Sequence, residues 1–102
     1  MKPIVWSETA SLEYQNLVRR IHAESPDAAR RVANRIAEAV EGLAQRNTGR
    51  PGRVRDTFEK SIVGLPYVVA FAIEVHEGVE RVVVLRVIHM ARHWPPGKWP
   101  KP

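Results

Sequence analysis

Ser25-Pro26-Asp27-Ala28-Ala29 is the stretch that decides the fold. A capping hydroxyl, a proline at the first helical position and an acid in the first turn together mark the start of a helix. The residues before it already follow a helical period. Ala10, Tyr14, Leu17, Val18 and Ile21 form one apolar face, with Arg19 and Arg20 off it. Ser7 caps this first helix, Glu8 sits where the helix dipole favours a negative charge, and the helix is expected to end near Glu24. The second helix repeats small and branched residues at Ala29, Val32, Ala33, Ile36, Ala37, Val40, Leu43 and Ala44. A connection through Ser25 is too short for anything but an antiparallel helical hairpin, and the alanines let the two helices approach closely.

Outward from the hairpin the period changes. Pro3 to Trp6 reads as a short apolar strand, and Gln45 to Gly52 as a loop broken by two glycines and a proline. Thr57 to Val63 is expected to be a strand, closed by Gly64-Leu65-Pro66. Tyr67 to Val75 is β-rich, and His76-Glu77-Gly78 is a hairpin turn with Gly78 able to take a positive φ. Val79 to His89 is the longest strand. Simple alternation puts Val83, Leu85, Val87 and His89 on one face and Val82, Val84, Arg86 and Ile88 on the other. Apolar residues on both faces mean a central strand covered on each side. The order β-α-α-β-β-β predicts an α+β fold, a helical hairpin packed on a mostly antiparallel sheet.

The 102 residues make one domain, 1–102, with residues 94–102 as an extended Trp/Pro tail. At 44% hydrophobic residues the chain can build a real core, and with no cysteine it excludes a disulfide scaffold and a thiolate metal site. No apolar run approaches the ~20 residues that span a bilayer. The N-terminus meets Glu8 before any signal-peptide core could form, so no membrane association and a cytoplasmic location are expected.

The net charge of +5 is uneven. Residues 1–45 balance six basic residues against six acids, whereas residues 46–102 hold ten basic residues against five acids. Such a surface serves nucleic acid, an acidic partner, or solubility alone. Arg50, Arg53, Arg55, Lys60, Arg86 and Arg92 are expected to converge on a face or edge away from the helices, either to grip phosphates or as a solvated edge that blocks aggregation. Arg86 stands between Val84 and Ile88, where a plain core wants an aliphatic. It either marks a functional face or pairs with a carboxylate inside the fold.

Other chemistries find little support. Ser7, Ser11, Ser25 and Ser61 have cap, helix or strand contexts and no glycine-flanked elbow. Gly49-Arg50-Pro51-Gly52-Arg53 lacks the lysine and spacing of a phosphate-binding loop. Of four histidines only His89 and His93 are close in sequence, with no carboxylate beside them, so neither a metal nor a cofactor is expected. The tail, Trp94-Pro95-Pro96-Gly97-Lys98-Trp99-Pro100-Lys101-Pro102, is either a recognition arm or a strap whose indoles cover the domain.

Val84-Leu85-Arg86-Val87-Ile88-His89-Met90-Ala91-Arg92-His93-Trp94-Pro95 resembles the ending frequent on the ParE side of the bacterial RelE/ParE toxins of type II toxin–antitoxin modules. Gly49 to Arg53, Tyr67-Val68-Val69-Ala70-Phe71 and the Ser25 junction are similar to the middle and helix junction of that family, so the resemblance spans nearly the whole chain. Thr57-Phe58-Glu59 and Phe71-Ala72-Ile73 depart from the family's more basic pattern.

The resemblance implies a β-α-α-β-β-β toxin in a hetero-oligomer with its antitoxin. Two activities divide the family. RelE-like members cut messenger RNA on the ribosome and need cations around the scissile phosphate. By ungapped alignment their strand lysines fall here at Glu59 and Ser61, and their next-strand arginine at Val68. Only Arg92 matches, with His89 as a possible acid–base group. The balance favours a ParE-like inhibitor of DNA gyrase with no catalytic residues, neutralised by a ParD-like antitoxin with an acidic amphipathic C-terminal segment. Arg92, Trp94, Lys98 and Trp99 are then the expected target contacts, and Arg53, Arg86 and Arg92 the expected antitoxin contacts. The alternatives are a metal-independent endoribonuclease using His89 and Arg92, and a small basic nucleic-acid-binding module.

Overall fold

The computed structural model describes residues 1–90, 94, 95 and 97–101. Among these residues five strands and two helices follow one another as β1 (Ile4–Trp6), α1 (Glu8–Glu24), α2 (Pro26–Leu43), β2 (Arg50–Pro51), β3 (Phe58–Ser61), β4 (Tyr67–His76) and β5 (Val79–His89). The sheet order is β1-β5-β4-β3-β2, with β1 parallel to β5 and every other pair antiparallel. Among the described residues no helix is long and apolar enough to cross a membrane.

Ser25 joins the helices by serving both. Its N–H donates to Ile21 C=O at the end of α1, and its Oγ accepts from Ala28 N–H at 3.2 Å in the first turn of α2. The two helices are tied again where Tyr14 Oη donates to Ala33 C=O at 2.9 Å, with the Trp6 ring 5.2 Å from the phenol ring. Leu17, Ile36 and Val40 press this hairpin onto Tyr67, Val69, Val84 and Val87 of the sheet. Leu43, Phe71 and Val82 extend the core toward the C-terminal end of α2.

The loop after α2 contains one more element than the expected order. Arg50 and Pro51 pair with Glu59 and Phe58 as a two-residue edge strand, and the strand expected over Thr57–Val63 contracts to Phe58–Ser61. Proline offers no N–H to a further strand, so Pro51 suits that edge. Gly49 is demanded by packing, since a Cβ there would lie 2.7 Å from the Phe71 ring. At the β4–β5 turn both Glu77 (φ 53°) and Gly78 (φ 78°) are left-handed, the two-residue geometry that follows the twist of a hairpin.

Simple alternation along β5 fails at one residue. Ala70 pairs with Arg86 but Phe71 pairs with Val84, so Leu85 is bulged out without a partner. The extra residue shifts the phase, and Val82, Val84 and Val87 all face the helices. Arg86, in register with Ala70, falls with Val83 and Ile88 on the second face.

Burial raises the Tyr14 phenol above its ordinary 10.0. The folded chain therefore favours the neutral phenol, a stabilisation complete below pH 10 and lost as pH rises through the folded value. Tyr14→Phe is expected to cost about 1 kcal/mol at neutral pH through the lost Ala33 bond. It should also flatten the stability loss at alkaline pH, as urea denaturation at several pH values would measure.

Candidate functional site

The second face of the sheet carries a row of charges laid out by strand register. Arg50 lies opposite Glu59, Glu59 opposite Ala70, and Ala70 opposite Arg86, so one line crosses β2, β3, β4 and β5. Residues opposite one another share a face, and their side chains are within reach. Ala70 is the small member, flanked by long charged chains.

Glu59 is only 2% exposed and is held from several directions. Arg50 Nη2 donates to Oε1 at 3.3 Å, the Arg53 backbone N–H donates to Oε2 at 2.8 Å, and Arg53 Nη1 lies 3.7 Å from Oε1. Arg50 Nη1 also donates to Ser61 Oγ at 2.8 Å. A carboxylate this deep persists only because it is paired and hydrogen-bonded. It fixes the β2–β3 loop in return.

At the other end of the row Arg86 reaches past the edge of β5 to Glu13 on α1. Nε donates to Oε1 at 3.0 Å and Nη2 to Oε2 at 2.8 Å, the planar fork that suits a carboxylate. Glu13 Oε1 also accepts from Val87 N–H at 3.0 Å. This last bond answers a topological gap. β1 stops at Trp6, opposite Val84, and leaves the rest of β5 without a neighbour on that side. Ser7 Oγ donating to Leu85 C=O at 3.0 Å, Glu13 accepting from Val87, and Trp94 Nε1 donating to His89 C=O at 3.1 Å stand in for the missing strand.

The tail closes over this face as a strap. Gly97 (φ 80°) makes a tight turn in which Lys98 N–H donates to Pro95 C=O at 2.9 Å. Trp99 comes back beneath Arg53, whose guanidinium carbon is 3.8 Å from the ring centroid, and meets Trp94 edge-on at 5.9 Å. Arg86 Nη1 donates to Lys101 C=O at 2.9 Å. Two spaces remain beneath and beside it. One of about 520 Å³ lies between Arg53, Val54 and the tail, and one of about 280 Å³ lies between α1, the end of β5 and Trp94. The smaller one is lined by His89, which packs edge-on against Tyr67, and by the exposed Arg20.

The structure thus places the expected site residues unevenly. Arg53, Arg86, Trp94 and Trp99 meet on the second face, and Lys98 is exposed above them. Arg92 lies outside the described residues, as does His93. The basic group does not assemble as a bare phosphate grip. Arg50 and Arg53 share the one carboxylate of Glu59, Arg86 is paired with Glu13, Arg55 points to solvent beside Asp56, and Lys60 lies in register with Val69, whose side chain faces the helices. Glu13 was the missing partner, and its signal was present in the helical spacing. It falls three residues after Ala10 and four before Leu17, inside the buried stripe. Among the described residues no three potential metal ligands lie together.

Comparison with known proteins places the chain among toxins. Residues 4–94 match the family of the ParE toxin of type II toxin–antitoxin systems, parDE. A protein of Sinorhizobium fredii named as a candidate toxin, Y4kP, is 35% identical over 95 residues, covering 92% of this chain and 94% of its own. A solved chain from the chromosomal ParDE toxin–antitoxin system of P. aeruginosa has the same fold, with a TM-score of 0.76 at 19% identity. The match covers 87% of this chain and 96% of the other.

Removing the Glu13 carboxylate should unseat more than one contact. Glu13→Ala leaves the largely buried Arg86 fork and the Val87 N–H without their acceptor, an expected loss of about 2–4 kcal/mol in urea unfolding. In a double-mutant cycle with Arg86→Ala the two losses should be far from additive.

Proposed function

The chain belongs to the ParE toxin family of type II toxin–antitoxin systems, and from that premise we propose that it acts by inhibiting DNA gyrase and is held inactive by a ParD-like antitoxin. The observation that carries this reading is Glu59. A ribonuclease of the related RelE type requires cations to hold the scissile phosphate, and the position aligned with one of its strand lysines is here a buried carboxylate. That carboxylate repels a phosphate and also occupies Arg50 and Arg53, the two nearest cations. A protein that acts by binding needs no such cluster.

In this reading the tail and its root form the surface that meets the target, through Trp94, Lys98, Trp99 and Arg92. The antitoxin's acidic amphipathic segment meets Arg53, Arg86 and Arg92. A carboxylate reaching Arg86 would take the place of the Lys101 carbonyl, because Nη1 holds that group in the free chain. Apolar burial sets the affinity of such a complex, and charge sets its rate and register. The hetero-complex should therefore survive moderate salt.

The test sets two purified targets side by side. The chain is expected to block supercoiling by gyrase and to leave messenger RNA on translating ribosomes uncut. His89→Ala, provided it folds, is expected to keep its toxicity. Message cleavage by the parent that disappears in His89→Ala would establish the ribonuclease reading instead.

A further inference from the structure

The cavity of about 280 Å³ between α1, the end of β5 and the tail is lined by polar groups that the fold itself does not use. Tyr67 is only 7% exposed, and its hydroxyl has no hydrogen-bond partner among the described residues. Nor is that hydroxyl sealed in apolar packing, because among those residues Arg81 Nε alone is a fully enclosed polar side-chain atom left unpaired. It opens into the cavity that Tyr67 lines. A buried phenol ordinarily finds a partner, so an unused one facing a cavity is a donor held ready. Arg20, exposed on α1, lines the same cavity and pairs with no carboxylate among the described residues.

The other charges of the cavity cancel. Glu13 lines it, but its two oxygens take the Arg86 fork and Oε1 also takes the Val87 N–H. Trp94 Nε1 is spent on His89 C=O, and the His89 ring packs on Tyr67. One guanidinium and one phenol O–H remain, with apolar wall from Leu17, Ile88, Trp94 and Pro100. We propose that this cavity binds a small monocarboxylate bearing a compact apolar or aromatic group. The carboxylate is held by Arg20 and Tyr67 Oη, and the hydrocarbon lies between Leu17, Ile88 and Trp94. A cation would meet the unpaired guanidinium of Arg20. A neutral hydrocarbon would leave the Tyr67 hydroxyl without an acceptor. Phosphate would bring a second charge with no second unpaired arginine or lysine to meet it, and nothing to cover the apolar wall. A carboxylate accepts from a planar fork and from an O–H at once. The volume sits at the small end of the roughly 300–1,000 Å³ usual for small-molecule sites. Such a ligand touches α1, β5 and the tail together, so it ties the strap to the domain and stabilises the folded chain by linkage. The site stands whether or not gyrase is the target.

The experiment titrates the full chain with sodium benzoate at constant ionic strength, followed by calorimetry and two-dimensional NMR. Benzoate is expected to bind saturably, in the millimolar range or tighter, and to move the resonances of Leu17, Ile88 and Trp94 most. Benzamide, its neutral isostere, and inorganic phosphate should bind about tenfold more weakly. Arg20→Gln should weaken benzoate by about tenfold. Tyr67→Phe should weaken it several-fold and yet leave the melting temperature of the free protein unchanged, because the hydroxyl makes no bond within the fold. Arg31→Gln, exposed on α2 and outside the cavity, should keep full affinity.

Benzamide or phosphate binding as tightly as benzoate would overturn the carboxylate assignment, and so would full affinity in Arg20→Gln or Tyr67→Phe. Equal weakening by Arg31→Gln would overturn it in favour of attraction by net charge alone. A lower melting temperature in Tyr67→Phe would show the hydroxyl to serve the fold and remove it from the site. No saturable binding of benzoate, phenylacetate or isovalerate, or shifts confined to another surface, would remove the site altogether.

Discussion

The architecture turns on one carboxylate. Glu13 takes the Arg86 fork and the Val87 N–H together, and so joins α1 to the central strand at the point where the sheet runs out of backbone partners. A three-residue β1 is long enough to place Ser7 at the start of α1, and too short to cover β5 to its end. Had β1 continued, α1 could not have crossed the sheet where it does. Because β1 stops, the uncovered edge needs polar side chains, and edges left open are templates for unwanted pairing. The Leu85 bulge belongs to the same arrangement. It sets Val87 toward the helices and Arg86 on the second face, from which one guanidinium serves both α1 and the tail.

Much of this was legible in the residues. The Ser25 junction defined both helices because capping is local chemistry, read within four positions. Strand β5 came out with the expected bounds, its start marked by the Glu77-Gly78 turn. Its facing did not, because a bulge depends on what lies across the ladder and leaves no mark in the alternation of one strand. The short β2 escaped for a similar reason, since two residues have no period. The α+β class, the β-α-α-β-β-β core order and the family all followed from the ordered set of motifs.

The site was legible in composition more than in state. Arg50, Arg53 and Arg86 do gather on one face, as their places in loop and strand suggested. That they arrive already paired depends on Glu59 and Glu13, and the partner of a charge distant in sequence is a tertiary fact. The choice between arm and strap was likewise open from proline and tryptophan content alone. Geometry resolves it toward a strap in the free chain, with lysines on its outer surface.

The parallel pairing of β1 with β5 has a consequence for synthesis. The first strand of the domain is matched to the last one, and β5 is bonded to both β1 and β4. The helical hairpin rests on local contacts and can form early, but its apolar face has no sheet to lie on until residue 89 has been made. Glu13 waits for Arg86 across 73 positions of chain. A toxin domain built this way cannot complete its surface until β5 has been synthesised. A ribosome that stalls anywhere before β5 releases a fragment with an exposed apolar stripe, a better substrate for proteases than a threat to the cell.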